Sequence, residues 1–128
     1  MSANPSFAST PRVSGIVLTT ADSSLTSPTN FGVLLTAANS GTKINEIVAH
    51  VAVTGLSTAS VVRLFLHDGT NYTLFDTIAL AAATSSSSAT STRVSNTYSN
   101  LVLPSGIAIR ASTSVSQSTA VIALGGDL

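Results

Sequence analysis

The sequence predicts an all-β domain, an antiparallel β-sandwich of seven to eight strands, of which a jelly roll is one form. Three observations carry this prediction. Serine and threonine make up 40 of the 128 residues while charged residues make up 8%, and threonine, like valine and isoleucine, suits a pleated sheet better than a helix. Short apolar runs alternate with polar residues at a period of two. Turn-forming residues separate these runs at short intervals, which is typical of a sandwich or barrel.

Eight β-type runs follow one another along the chain. Their approximate bounds are 12–20, 31–37, 43–54, 60–67, 71–80, 92–102, 106–115 and 119–124. The clearest hairpin joins the fourth and fifth runs, where Asp68 and Gly69 tolerate the positive φ of a tight turn. No stretch shows a persuasive period of 3.6, so at most a short helical turn is expected.

Alternation within the runs assigns residues to the two faces of a sheet. One predicted core face contains Ile47, Ala49, Val51 and Val53, and another contains Val62, Leu64 and Leu66. The polar residues between them are mild, and apolar residues such as Val48 and Phe65 stand among them. The outer faces are therefore expected to be partly apolar, as in strands covered on one side by the core and on the other by a neighbouring subunit.

The chain is expected to form a single domain over residues 12–128, preceded by an extended arm over residues 1–11. The arm is polar, with two prolines and the aromatic Phe7. The low-complexity segment 84–92 predicts a mobile loop between two strands. The closing residues 125–128, Gly-Gly-Asp-Leu, predict a flexible or docked tail.

Composition excludes several classes of function. Five basic and five acidic residues give a net charge of zero, too few for the basic patch of a nucleic-acid-binding protein. The absence of cysteine excludes a disulfide scaffold, a thiolate zinc site and a cysteine nucleophile. No apolar run approaches the roughly 20 residues of a membrane helix. Because residues 1–11 lack the pattern of a signal peptide, synthesis and use from the cytoplasm are expected.

The titratable residues do not predict an active site. The histidines are His50 and His67, and the acids are Asp22, Glu46, Asp68, Asp76 and Asp127. No G-x-S-x-G motif is present. A metal site at His67 and Asp68 is a weak hypothesis, because adjacent strand residues point to opposite faces and Asp68 is better explained as a turn residue. A site that joins Asp68 to Asp76 across the hairpin is equally weak. We expect no enzymatic activity, metal or cofactor.

The acids within strands are better explained by surface ion pairs than by glycoside hydrolysis. Glu46 lies near Lys43, and Asp76 is expected to pair with Arg63 or Arg110. Carbohydrate binding usually uses exposed aromatic side chains, and the chain has no tryptophan and only two tyrosines.

Three phrases resemble small virion proteins of tailed bacteriophages, often found as capsid decoration (cement) or head-associated proteins. They are TKINEIVAHVAVTGLSTASVVRLFLHDGTNYTLFDTIAL from residue 42, NLVLPSGIAIRASTS from residue 100 and the terminal ALGGDL. The resemblance covers about two thirds of the chain. Its most specific elements are the V-x-R-L-F-L-x-D-G-T hairpin, the L-P-S-G turn and the GGDL ending.

The resemblance implies a β-sandwich, of which a jelly roll is one form, that binds and stabilises an assembled shell on the virion surface. Its partners would be the major capsid protein and further copies of itself, most often as a trimer at three-fold positions. Such proteins clamp the shell with a terminal arm or a loop, and the matching candidates here are Phe7, Pro11 and Arg12 in the arm and Ser86 and Ser87 in the 84–92 loop. The alternative is a receptor- or glycan-binding module of a tail or fibre, in which Tyr72 and Tyr98 would line an exposed groove.

Overall fold

The fold consists of ten β-strands in a computed structural model that describes residues 10–128. The strands are β1 (Thr10–Leu18), β2 (Gly32–Thr36), β3 (Thr42–Val51), β4 (Gly55–Leu56), β5 (Ser60–His67), β6 (Tyr72–Leu80), β7 (Thr84–Ser85), β8 (Arg93–Leu103), β9 (Ala108–Thr113) and β10 (Thr119–Asp127). No helix occurs within the described residues.

Eight of the strands form two four-stranded antiparallel sheets, and the apolar core lies between them. Sheet A has the order β1-β10-β3-β8 and sheet B has the order β2-β9-β5-β6. The remaining strands, β4 and β7, pair with each other in a small ribbon. The prediction of an antiparallel β-sandwich is confirmed.

The strand pairs are nested in the manner of a jelly roll. β5 pairs with β6, β3 with β8, β2 with β9 and β1 with β10. The chain is therefore one long antiparallel hairpin with its tip at residues 68–71, rolled up so that β10 also meets β3 and β9 also meets β5. This winding gives the double-sheet jelly roll.

The hairpin tip forms as the sequence predicts. Gly69 has a φ of 102°, a conformation that glycine adopts without the steric cost of a side chain. Oδ1 of Asp68 accepts hydrogen bonds from the backbone N–H groups of Thr70 and Asn71, at 2.9 and 2.7 Å. Asp68 is therefore a turn residue.

Sequence patterns missed the small ribbon, and the prediction of a loop throughout 84–92 was wrong for its first two residues. Thr84 and Ser85 form β7, a strand too short to show a recognisable alternation. The ribbon is held by Ser57, which is buried: its Oγ donates to the carbonyl of Ala83 at 3.1 Å and accepts from the Ala83 N–H at 3.0 Å.

The core contains the residues that alternation assigned to it. Ile47, Ala49 and Val51 from sheet A face Val62 and Leu64 from sheet B, and each is at most 1% exposed. The predicted partners Val53 and Leu66 are partly buried and pack against the same cluster. The alternation prediction for these strands is confirmed.

Residues 125–127 are docked at the end of β10. They pair with β1 on one side and β3 on the other. At Gly125, where the β10–β3 register shifts, a Cβ atom would lie 2.0 Å from the carbonyl oxygen of Lys43. Only glycine fits this close approach of two backbones.

The residues predicted as an arm have two different outcomes. Thr10 and Pro11 begin β1, where they pair with Asp127 and Gly126. Phe7 and the rest of residues 1–9 lie outside the described residues.

Replacement of Leu64 by alanine tests the core assignment. Leu64 is fully buried, so Leu64→Ala should lower the free energy of unfolding by roughly 2–5 kcal/mol. Urea denaturation measures the loss. The matched control is Leu56→Ala, because Leu56 is 75% exposed and should change stability by less than about 0.5 kcal/mol. Equal effects at the two positions would contradict the assignment.

Replacement of Gly125 by alanine tests the close approach at the end of β10. The added methyl group must displace the backbone of β3, so Gly125→Ala should destabilise the fold by roughly 1–3 kcal/mol or more. Gly15→Ala is the control, since its nearest neighbour would be Cγ1 of Ile122 at 3.4 Å. Thermal unfolding of both variants provides the measurement, and an unchanged melting temperature for Gly125→Ala would argue against the contact.

Candidate interaction surface

The sequence-predicted contact residues lie at opposite ends of the sandwich. Thr10 is in register with Asp127, Thr42 and Leu103, so Pro11 and Arg12 lie at that end. Ser86 and Ser87 belong to the connection that leads to β8, which begins beside His50 at the other end. With a rise of about 3.3 Å per residue, the strands separate these ends by roughly 30 Å. The two sets do not form one site.

Arg12 has a structural role at its end of sheet A. Its Nη1 lies 3.2 Å from Oδ1 of Asp127, and the hydroxyl of Thr42 donates to the same oxygen at 2.8 Å. The hydrogen bond from Thr42 and then the Arg12 guanidinium hold the pKa of Asp127 below its usual value. The Thr42 hydroxyl also accepts from the Ala38 N–H at 2.9 Å. These contacts join the first strand, the last strand and the turn before β3.

Ser86 and Ser87 are exposed on a small turn at the opposite end. The N–H of Ser86 donates to the carbonyl of Ala89 at 2.9 Å, and its hydroxyl lies 3.4 Å from that of Ser88. Such a turn presents short hydroxyl side chains to solvent. Both serines remain predicted contacts, as does Pro11, which is also exposed.

The outer face of sheet A is apolar, with exposed valines on β1 and the buried Val48 on β3, and we call it the A face. The register places Val13 beside Leu124, Val17 beside Ala120, and Ile122 beside Val48. The A face consists of Val13, Val17, Val48, Ala120, Ile122 and Leu124. Val13 is 70% and Val17 is 61% exposed. From strand spacing and rise, this patch covers roughly 300 Å², the size of the largest apolar patch on many soluble monomers, which is often functional.

The charged residues of this face lie at its border. Glu46 on β3 pairs with Leu124 on β10, and His50 on β3 pairs with Ala120. Arg93 on β8 pairs with His50. The centre of the A face therefore carries no charge, and charged residues lie at both of its ends, with Lys43 beside Glu46 at one of them. Such a surface can pack closely against another neutral surface without an unpaired charge being buried.

The outer face of sheet B, by contrast, is partly covered by the chain itself. Phe65 is fully buried there against the edge of Tyr72, at 5.9 Å between ring centroids. Phe31, from the end of the connection between β1 and β2, packs on Tyr72 at 6.0 Å. The Arg110 guanidinium lies 4.5 Å from the centre of the Phe31 ring, and its Nη1 donates to the Tyr72 hydroxyl.

Asp22 holds the connection between β1 and β2 in place over sheet B. Its carboxylate accepts hydrogen bonds from the backbone N–H groups of Ser24, Thr29 and Asn30, at 2.8–2.9 Å. These bonds, that from Asn30 foremost, outweigh the effect of burial and lower the pKa of Asp22 to about 2. The carbonyl of Asp22 accepts from Nη1 of Arg63 at 2.9 Å.

Asp76 links the two sheets at their β6–β8 edge, and the prediction that it pairs with an arginine was wrong. Its Oδ2 accepts from the Tyr98 hydroxyl at 2.5 Å and from the Asn96 side chain at 2.9 Å. Burial of the carboxyl opposes ionisation, but the hydrogen bonds from Tyr98, Asn96 and Thr77 outweigh it and lower the pKa of Asp76. Burial, together with this carboxylate, raises the pKa of Tyr98. Within residues 10–128, Glu46 and Lys43 form no ion pair either.

The described residues contain no group of three or more side chains suited to hold a metal ion. His50 contacts the Ser91 hydroxyl at 2.9 Å in sheet A, whereas His67 packs against Tyr72 in sheet B, at 4.4 Å between rings. The two histidines therefore belong to different sheets. In the described part of the chain, no helix has the length and apolar character needed to cross a membrane.

Comparison with known proteins gives one structural match. No family model matches the sequence. No curated protein matches it. Among solved structures, the chain is similar to a chain in the structure of infectious bursal disease virus Gx strain, with 18% sequence identity and a TM-score of 0.29. The match covers 98% of this chain and 36% of that chain, so this chain spans about a third of its length.

The A face is the feature that sequence analysis did not predict. The alternation of Val13, Gly15 and Val17 and that of Ile122 and Leu124 are visible in the sequence. The missing information is that β1 and β10 are neighbours, because their residues are more than 100 positions apart. To predict the A face, sequence analysis would have needed to know that the first strand pairs with the last one.

The carboxylate of Asp22 makes stability depend on pH. Its pKa is 3.8 when unperturbed and about 2 in the fold, so its stabilising contribution is complete above pH 4–5 and is lost as the pH falls through about 2. Asp22→Asn should lower the free energy of unfolding at pH 6 by roughly 1–3 kcal/mol. Denaturation at pH 6 and at pH 2 should show a smaller difference between variant and wild type at pH 2. A difference independent of pH would exclude ionised Asp22 as the cause.

Proposed function

We propose that this chain is a non-enzymatic structural protein of a virus particle, a capsid decoration (cement) protein of a tailed bacteriophage. In this proposal the A face packs against the major capsid protein on the outside of the assembled shell. The chain would be made in the host cytoplasm and act on the virion surface. The observation that carries the proposal is the uncharged, apolar A face, on which Val13 and Val17 are more than half exposed.

The fold and the sequence resemblance support the same proposal. Double-sheet jelly rolls occur in viral capsid proteins, but also in lectins and cupins, so the fold alone does not select a function. The phrases that resemble phage virion proteins favour the first of these. The A face is an apolar surface suited to contact with another protein. A lectin groove or a metal-binding barrel would not require such a surface.

The polar groups that could perform catalysis are already used to hold the fold. Asp22 orders a loop, Asp68 a turn, and Asp127 the junction of β1, β10 and β3. Asp76 joins the two sheets through Tyr98. These contacts give each of the four carboxylates a structural role. That role supports the proposal of a non-enzymatic protein.

Decoration of a shell would also use repeated contacts. A patch of roughly 300 Å² is smaller than the about 800 Å² per partner of a standard stable interface. Several linked copies bound to one lattice gain effective concentration and exceed the affinity of each contact. We therefore propose that the chain acts as a homo-oligomer.

The alternative is a receptor- or glycan-binding module of a tail or fibre. It would use Tyr72 and Tyr98 as stacking platforms. The hydroxyl of Tyr72 accepts from Arg110, and the hydroxyl of Tyr98 donates to Asp76. Both rings also pack against other rings. The A face therefore has more surface free for a partner than the tyrosines have.

Replacement of Ile122 at the centre of the A face tests the proposal. Ile122→Lys places a charge in the proposed contact, where it would have no partner, and should weaken binding to purified capsids that lack this protein by more than about tenfold. Co-sedimentation over a range of concentrations measures the affinity. Cryo-electron microscopy of the decorated particles shows which face meets the shell.

The matched control is Val33→Lys, since Val33 is 44% exposed on the outer face of sheet B. It should bind like the wild type. Equal losses in both variants would indicate a nonspecific effect of charge. If the wild type does not bind capsids at all, the decoration proposal is wrong, and density on the tail would favour the alternative.

A further inference from the structure

We propose that β1 is the contact between two copies of this chain. The two β1 strands would pair antiparallel about a two-fold axis at Gly15 and join the two A sheets into one sheet of eight strands. This inference deepens the proposed function, since the value of the dimer for shell binding rests on it. The pairing itself is a property of the free protein and can be measured without a shell.

Among the described residues, no strand pairs with β1 on the side away from β10. β1 lies at the edge of sheet A with β10 as its hydrogen-bonded neighbour strand. Its nine residues pair with β10 without a register shift. An edge strand of this kind carries a row of backbone donors and acceptors that another strand can complete. The open side of β1 is therefore suited to a partner strand more than to a side-chain ligand.

The other three edge strands are less regular. The pairing of β8 with β3 shifts between Ile44 and Glu46, and the pairing of β6 with β5 shifts between Leu64 and Phe65. β2 is five residues long and has a shift of its own. Bulges and short edges are among the features that keep strands from pairing with other chains. Among the described edges, β1 is the one without them.

Charge does not protect the β1 edge either. Edge strands often carry lysine or another outward charge that opposes pairing. The one charged residue of β1 is Arg12, which is engaged with Asp127 and Thr42. Pro11 lacks an N–H group but lies near the end of the strand, so it limits the pairing to the residues that follow it.

A two-fold axis at Gly15 gives favourable cross-strand neighbours. Val13 would lie opposite Val17 of the second copy, and Val17 opposite its Val13. Pairs of β-branched residues stabilise antiparallel strands. Gly15 of each copy would meet at the axis, where the absence of a side chain leaves room. No like charges would face each other across the new pair.

The size of the A face argues for a second copy as the occupant of this edge. One A face of roughly 300 Å² falls well below the about 800 Å² per partner of a standard interface. Pairing through β1 would place the two A faces side by side in a single sheet and double the apolar surface presented to the shell. A dimer thereby comes closer to the area of a standard interface than one copy does. It also differs from the trimer that the resemblance implies.

Cross-linking tests the register, and the chain is well suited to it because it has no cysteine. Gly15→Cys would place two thiols opposite each other at the axis, at a Cα separation within the range that a disulfide spans. Mild oxidation should give a disulfide-linked dimer on a non-reducing gel. The control is Val102→Cys on β8, which is 48% exposed and should remain unlinked under the same conditions.

Sedimentation equilibrium of the free protein tests the association. The wild type should reach the mass of a dimer as its concentration rises, and Val17→Lys should shift the midpoint at least tenfold upward. Val102→Lys should leave it unchanged. Val17 is 61% exposed, so its replacement should not unfold the domain, and circular dichroism verifies this.

A monomer at all concentrations would overturn the inference, and so would a trimer, because a two-fold strand pair cannot produce one. A dimer that is insensitive to Val17→Lys and forms no Gly15→Cys cross-link would overturn it as well. None of these results depends on capsids. Failure of shell binding with an intact β1 dimer would instead reject the decoration proposal alone.

Discussion

The position of β10 between β1 and β3 is the constraint on which the rest of the structure depends. β10 is the last strand, yet it fills the interior of sheet A and pairs with the first strand along its whole length. Residue 10 must therefore meet residue 127 before sheet A is complete. Contacts between such distant residues slow the folding of β-proteins, because loop closure costs entropy before the contacts form. The nested winding and the exposed position of β1 both follow from this closure.

The same winding makes the two outer faces unequal. The long connection over residues 19–31 lies over sheet B, where Asp22 orders it and Phe31 packs on Tyr72. On the outer side of sheet A, Val13 and Val17 stay more than half exposed, although Val48 is buried. Two sheets of similar composition thus differ in what they present to solvent. The asymmetry arises from the length and hydrogen bonding of one loop rather than from the strands themselves.

Sequence patterns predicted the strands well and the surface poorly, for a physical reason. Alternation at residues 47–51 or 62–64 depends on neighbours two positions apart, so it is readable from the sequence. The ribbon of β4 and β7 was not predicted because a strand of two residues shows no alternation. The A face was not predicted because its residues on β1 and β10 come together only when the first strand pairs with the last. The candidate contact residues of the arm and of the loop lie at opposite ends of the sandwich. Sequence proximity to a turn does not state at which end that turn lies.

The scarcity of charge links the fold to the proposed role. Four of the five carboxylates accept hydrogen bonds that stabilise a loop, a turn and the sheet edges. They are those at positions 22, 68, 76 and 127. With charged residues at 8% and a net charge of zero, the chain has little charge to steer a partner over long range. Recognition by the A face would therefore depend on shape and on apolar burial, both of which act at short range. Such contacts suit a protein that binds a pre-assembled lattice many times over, where repetition supplies the affinity that no single contact provides.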